Sequence, residues 1–235
     1  MPTINSCGSV AGNDPDHMET ARALAYEFHK NNVQLVYGGG TAGLMGEVAR
    51  TLVKLSGPQA VHGVIPRALV RIEPGYDKSK GRDEQPSTMT GGKDAERVLN
   101  DSLDKAALTN ESEYGMTTIT ADMHTRKRLM ATKVIEGGPG SGFVTLAGGF
   151  GTIEEVMEMT TWNQLGIHQR GIVLMNVNGY WDGLLQWVKT AVEKGYIGPD
   201  NANILVEAKD VKDVCPILAG YKVSAGQMQL NWGEE

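Results

Sequence analysis

The sequence predicts an α/β fold: one Rossmann-like domain with a doubly wound parallel sheet and helices on both faces. Two observations carry this. Short apolar runs alternate along the chain with longer segments of helical periodicity, joined by brief turns marked by glycine or proline, as parallel strands with crossover helices require. Two of those runs, at residues 34–37 and 142–146, pass straight into glycine turns that open helices. Open α/β sheets bind their ligands at such turns.

In chain order, residues 3–9 make the first strand, ending at Gly8-Ser9. Asp14, Pro15 and Asp16 punctuate the start of a helix that runs to about residue 31, with Ala21, Leu24, Ala25 and Phe28 on one face. Residues 34–37 are the second strand, and residues 44–55 a helix closed by Ser56-Gly57-Pro58. A third strand at 60–65 is stopped by Pro66. The texture then changes. Residues 68–114 read as a surface insertion, dominated by Gly, Pro, Ser, Thr and charged residues between 73 and 93, with a short helix at 95–108. Loops of this length are either functional or disordered.

Alternation resumes with a strand at 116–120 and a helix at 122–136. The run at 142–146 and its helix follow, then a strand at 172–176 and a helix at 181–194. A short strand near 204–206 and a helix at 211–218 complete the domain, which spans residues 1–222. Residues 223–235 form a C-terminal tail that reads as loose from Ser224 to Glu235.

Composition narrows the classes. A chain of 235 residues, 40% hydrophobic, builds a core without staples. With a net charge of −6 and no long basic run, nucleic acid is not an expected partner. Cys7 and Cys215 lie far apart, outside any metal or redox spacing, and read as buried free thiols of a reducing compartment. No signal peptide and no 18-residue apolar span is present, so the expectation is a cytoplasmic protein with no membrane partner.

The chemistry is concentrated in Thr145-Leu146-Ala147-Gly148-Gly149-Phe150-Gly151-Thr152-Ile153-Glu154-Glu155. Glycines leave no Cβ in the way, so backbone N–H groups can close around an anion. The helix behind them adds its partial positive charge. Thr152, Glu155, Met159 and Trp162 share one helical stripe, which sets Glu155 against a partly apolar wall. A phosphate cradle with a carboxylate one turn away points to chemistry on a phosphorylated small molecule. The plain reading is an ordinary strand-to-helix turn with acidic residues favoured by the dipole.

Gly38-x-Gly40-x-x-Gly43 satisfies a dinucleotide fingerprint, but no acid ends the next strand to hold a ribose; a second glycine turn at the sheet edge is the tighter reading. Asp122 is a good N-cap, and Arg126 and Lys127 sit one turn into its helix, where the dipole slightly disfavours cations. They face either a ligand anion or a carboxylate, or form a solvated basic face. His124 reads as a capping or core histidine ahead of a ligand. No second His or Cys falls at metal spacing, so neither a metal nor a cofactor is expected. A serine nucleophile elbow and a nucleoside-triphosphate loop are both absent from the sequence. Trp162, Trp181 and Trp187 read as core or interface.

Taken together, several ordered motifs resemble the LONELY GUY (LOG) family, the cytokinin-activating phosphoribohydrolases. They are Cys7-Gly8-Ser9, the run from Leu35 to Gly46, Gly63-Val64-Ile65-Pro66, the segment from Ala121 to Lys127, the segment from Gly148 to Glu155, and the run from Thr161 to His168. The resemblance covers about residues 4–207 apart from the insertion. It implies hydrolysis of the N-glycosidic bond of N6-modified AMP, giving free base and ribose 5-phosphate, with Arg126 and Glu155 catalytic. Gly39, Gly40, Thr41, Met45, Arg126, Lys127, Gly148, Gly149, Phe150, Gly151, Thr152, Ile153, Glu154 and Thr161 would line the nucleotide site. It further implies a homo-oligomer, a dimer or larger, with sites completed near the subunit contact.

Two features depart from the family. Ala147 replaces a usual proline, and the longer insertion at 71–114 obscures an acid that contacts substrate. The runner-up reading is a nucleotide-binding regulator or carrier without turnover. A lysine decarboxylase label, which this family has often carried, would need pyridoxal phosphate on a lysine beside a cofactor-ring partner.

Overall fold

Local signals begin each element where the sequence places them. Asp14 caps α1 (Pro15–Lys30), its carboxylate accepting from Asp16 N at 3.0 Å, and Ala21, Leu24, Ala25 and Phe28 are its buried residues. β1 (Pro2–Ser6) precedes it, and β2 (Gln34–Tyr37), α2 (Gly43–Ser56) and β3 (Val61–Pro66) follow. The structure, a computed structural model, describes residues 1–73, 76 and 107–232.

After the short α3 (Arg67–Val70) come β4 (Ala107–Ser112), β5 (Gly115–Thr120) and α4 (Met123–Ile135). β6 (Gly142–Thr145), α5 (Phe150–Gln164), β7 (Gly171–Met175), α6 (Asp182–Glu193), β8 (Leu205–Ala208) and α7 (Val211–Gly220) complete the fold.

The strands form one eight-stranded sheet in the order β4-β5-β3-β2-β1-β6-β7-β8. Every pair is parallel except β4 with β5. The doubly wound parallel sheet is therefore present, with an antiparallel edge strand that the sequence reading did not anticipate. Residues 107 and 108, read as the end of a helix, belong to that strand; the rest of that predicted helix lies outside the described residues. The strand reverses through a hairpin at Gly115, whose φ of +94° suits glycine.

Each face of the sheet carries its own core. Residues of α1, α2 and α7 pack on one side with Val144, Leu146 and Val173. Residues of α4, α5 and α6 pack on the other with Ile4, Val36, Phe143 and Ile172. β7 is buried along its whole length, as a strand covered on both faces must be. The strand order turns back at β1, with β2 on one side and β6 on the other, and the carboxyl ends at such a switch point are where open α/β sheets bind ligands.

The described part of the tail, to residue 232, is anchored and not loose. Gln227 is buried and donates to Asn163 O at 2.7 Å and His168 O at 3.0 Å, while Trp232 Nε1 donates to Leu165 O at 3.0 Å. These are side-chain anchors onto a loop, with no periodicity to announce them.

The loop after α5 is tied down by His168. Its Nδ1 accepts from Arg170 N at 3.1 Å, so the proton sits on Nε2, which donates to Met159 O at 2.9 Å. Burial lowers its pKa from 6.5 to about 4, outweighing the opposing pull of the Met159 carbonyl. The folded protein thus holds the neutral imidazole. The associated stability is present above pH 6.5 and is lost as pH falls towards 4, by up to roughly 3 kcal/mol for this residue. Urea unfolding at pH 7 and pH 4.5 should show a smaller acid loss in His168→Gln than in wild type. An equal loss would place the acid sensitivity elsewhere.

Candidate active site

The glycine turn after β6 presents backbone at the carboxyl edge of the sheet. Gly149 is the N-cap of α5 and provides no side-chain cap, so the first-turn N–H groups lack an intrahelical acceptor. A Cβ added to Gly149 or Gly151 would meet nothing within 4 Å, and neither residue has a positive φ. Neither space nor backbone conformation demands glycine there; its effect is to leave the amides uncovered. Gly148 differs. Its Cβ would lie 2.0 Å from Thr152 Oγ1, because the buried Thr152 packs its hydroxyl directly beneath the turn. Ala147, which stands where the family usually has proline, is buried and held through its carbonyl by Gly8 N at 2.8 Å.

Asp122 caps α4 at the carboxyl end of β5, accepting from Thr125 N and Thr125 Oγ1, both at 2.8 Å. Burial alone would raise the Asp122 pKa, but these hydrogen bonds lower it. The cap sends Arg126, one turn later, inward. Arg126 is buried, donating through Nε to Val64 O at 3.1 Å and through Nη1 to Glu155 Oε1 at 2.8 Å. Its Nη2 occupies the space beside Gly38, where a Cβ would lie 2.2 Å away. Glu155 keeps about a fifth of its side chain exposed and borders a cleft walled by Ile4, Met130, Ala131 and Met159. Cys7 lies behind it. Burial first, and the Glu155 charge second, push this thiol far up, so it is a neutral wall and not a nucleophile.

Lys127 pairs with Glu154 and, at 2.8 Å, with Glu158. Burial would lower its pKa, but the hydrogen bonds it donates to these two carboxylates win and raise it. On the opposite wall, Gly39 adopts φ +76° in the second glycine turn. Thr41 donates to Glu73 Oε1 through N at 2.5 Å and through Oγ1 at 3.0 Å, and Tyr76 OH donates to Gly39 O at 2.7 Å. The Met45 thioether packs beneath Gly38 and Gly40.

Direct contacts thus join Arg126 to Glu155, Lys127 to Glu154, Gly148 to Thr152 and Met45 to Gly40, while Thr41 and Gly39 are tied to Glu73 and Tyr76. Three other candidates face outward. Phe150 is 95% exposed and Ile153 points outward from the first turn. Thr161 lies on an exposed surface about 9 Å of helix axis beyond Glu155, its hydroxyl turned back to Met157 O at 2.8 Å. His124 is neither cap nor core: the cap is Asp122, and the His124 side chain is exposed. Trp181 is core, whereas Trp187 is half exposed.

Two acids escaped the sequence reading. Glu158 carried a signal, one turn beyond Glu154 on the side that meets Lys127. Glu73 carried none, since its contact with Thr41 spans 32 residues and begins in the insertion. Among the described residues, no group of three or more His, Cys, Asp or Glu is placed to hold a metal ion.

A family model described as possible lysine decarboxylase matches residues 45–218. Cytokinin riboside 5'-monophosphate phosphoribohydrolase LOG1 of Arabidopsis thaliana is 34% identical over 92% of this chain and 81% of its own length. The chain belongs to the LOG family. LOG7 of the same plant is 33% identical over 97% of this chain and 86% of its own. A bifunctional cytokinin biosynthesis protein of Fusarium pseudograminearum (strain CS3096) is 46% identical over 96% of this chain, which spans 41% of the fungal protein.

Among solved structures, the molybdenum cofactor binding protein of Rippkaea orientalis superposes with a TM-score of 0.53 at 14% identity, covering 92% of this chain and 94% of that one. The molybdenum cofactor carrier protein of Chlamydomonas reinhardtii gives 0.51 at 16% identity, covering 92% and 95%. At such identities the likeness is one of fold, the Rossmann-like LOG type. Among the described residues no helix is long and apolar enough to cross a membrane.

Proposed function

We propose that this chain hydrolyses the N-glycosidic bond of N6-modified adenosine 5'-monophosphate, giving the free cytokinin base and ribose 5-phosphate. The observation that carries the reading is the Arg126–Glu155 ion pair standing beside the uncapped glycine terminus of α5. In this reading the amides of Gly149 to Thr152 hold the 5'-phosphate, and that remote binding energy places C1' against Glu155. Cleavage passes through an oxocarbenium-like state, which the carboxylate stabilises while it activates water. The hydroxide of the water ends on C1' and its proton on the departing base. Arg126, fixed by Val64 O, orients Glu155.

Lys127 supports this reading over a pyridoxal phosphate enzyme. Two carboxylates keep its amine protonated, whereas an imine needs the free amine. Oligomerisation belongs to the same proposal. Phe150, Ile153 and Thr161 are exposed along α5, and a second copy seated there would bring Thr161 and Phe150 to a neighbouring crevice. A cytoplasmic location fits the two buried free thiols.

The test is chromatography of purified protein with N6-isopentenyl-AMP and AMP. Equal amounts of free base and ribose 5-phosphate are expected from the modified nucleotide. A nucleotide that binds and stays intact would replace the hydrolase with a sensor or carrier.

A further inference from the structure

The turn that opens α5 has three carbonyls to fix, and three different elements fix them. Ala147 O accepts from Gly8 N at 2.8 Å, and Gly149 O accepts from Ile153 N at 3.1 Å. The carbonyl between them, Gly148 O, receives a hydrogen bond of 2.6 Å from the hydroxyl of Tyr180. This peptide joins two glycines, so it rotates with little steric resistance and is the least constrained unit of the turn. A trans peptide is planar, with its C=O and N–H antiparallel. Whatever holds Gly148 O therefore also aims Gly149 N–H to the opposite side.

Tyr180 is itself braced. It follows a tight turn in which Asn178 and Gly179 take positive φ, at +50° and +76°. Asn178 Nδ2 donates to Asp14 Oδ2 at 3.0 Å and Asp16 Oδ2 at 2.8 Å, clamping the turn to the start of α1. The Tyr180 ring stands edge-on to His17 and Trp181, with centroids 5.4 Å and 4.9 Å away. The phenol is half exposed, yet ring and loop are held from three sides.

We propose that Tyr180 is a positioning residue for phosphate binding, setting the Gly148–Gly149 peptide so that Gly149 N–H points at the 5'-phosphate. This rests on the phosphoribohydrolase reading above and assigns a specificity role to a side chain outside the glycine motif. The phosphate does not change as the glycosidic bond breaks. An amide contact to it is therefore equally strong in ground and transition states and acts on KM more than on kcat.

The experiment compares wild type, Tyr180→Phe and His17→Ala. Tyr180→Phe keeps the ring and loses only the hydrogen bond; His17→Ala loosens the same loop without touching Gly148. Binding of ribose 5-phosphate is measured by calorimetry, and base release from N6-isopentenyl-AMP by steady-state kinetics. Tyr180→Phe should weaken ribose 5-phosphate binding and raise KM by about three- to tenfold, with kcat within twofold of wild type. His17→Ala should bind as wild type does. Unchanged ribose 5-phosphate affinity in Tyr180→Phe overturns this inference and leaves the hydrolase reading standing. Equal losses in both variants make the residue a loop stabiliser and also overturn it. Failure of wild type to bind ribose 5-phosphate removes the cradle, and the inference with it.

Discussion

Glu155→Gln should lower base release from N6-isopentenyl-AMP by about 10²- to 10⁴-fold while nucleotide affinity stays within a few-fold of wild type. The amide is isosteric and its oxygen still accepts from Arg126 Nη1, so the pair that spans α4 and α5 survives. What disappears is the negative charge facing C1' and the acceptor that takes a proton from water. Rapid-quench turnover beside equilibrium binding separates the two quantities. Release within tenfold of wild type would mean that another group does the chemistry and that Glu155 is only a partner for Arg126.

Gly148→Ala should damage both fold and binding, because the added Cβ would lie 2.0 Å from Thr152 Oγ1 and 3.0 Å from Gly8 N. Thr152 is buried and Gly8 N is backbone, so neither withdraws freely. The turn must open, at about 1–3 kcal/mol of stability, and KM for the monophosphate should rise at least tenfold. Gly151→Ala is the contrast. Its Cβ meets nothing within 4 Å, so thermal stability should hold or rise slightly, by up to about 1 kcal/mol for a helical position. Its methyl would still intrude on the cradle and weaken phosphate binding. If both variants lose stability alike, the turn is a packing feature and not a ligand surface.

Much of this was legible in the sequence because it is local. Asp14 with Pro15 announces α1, and the spacing of Ala21, Leu24, Ala25 and Phe28 gives its buried face. The run at 34–37 is β2 residue for residue. Both glycine turns fall at the carboxyl edge of the sheet, and Asp122 caps α4 so that Arg126 points inward. Helix caps and strand patterns are decided within a few residues, so a reading by periodicity finds them.

What was not legible depends on distant partners. β4 is a strand because β5 offers its edge, in a segment whose polar composition reads as loop. The described part of the tail is anchored by such contacts as the buried amide of Gln227 and the indole N–H of Trp232. Glu73 and Tyr180 matter through carbonyls and amides 32 residues away, and no spacing rule reports such a contact. The place of Thr161, turned away from Glu155 along the outer stripe of α5, follows from helix phase, yet only the burial of the opposite face shows which stripe is outer.

The central claim is that one crevice holds the 5'-phosphate and the reacting carboxylate together. Comparing kcat/KM of the wild-type protein for N6-isopentenyl-AMP with that for the unphosphorylated riboside tests it most directly. The account predicts a preference for the monophosphate of at least about 10²-fold, since charge-assisted contacts to the phosphate are worth roughly 1.5–3 kcal/mol each. A riboside cleaved as efficiently as its monophosphate would contradict it, because the glycine turn of α5 would then have no part in placing the bond that breaks.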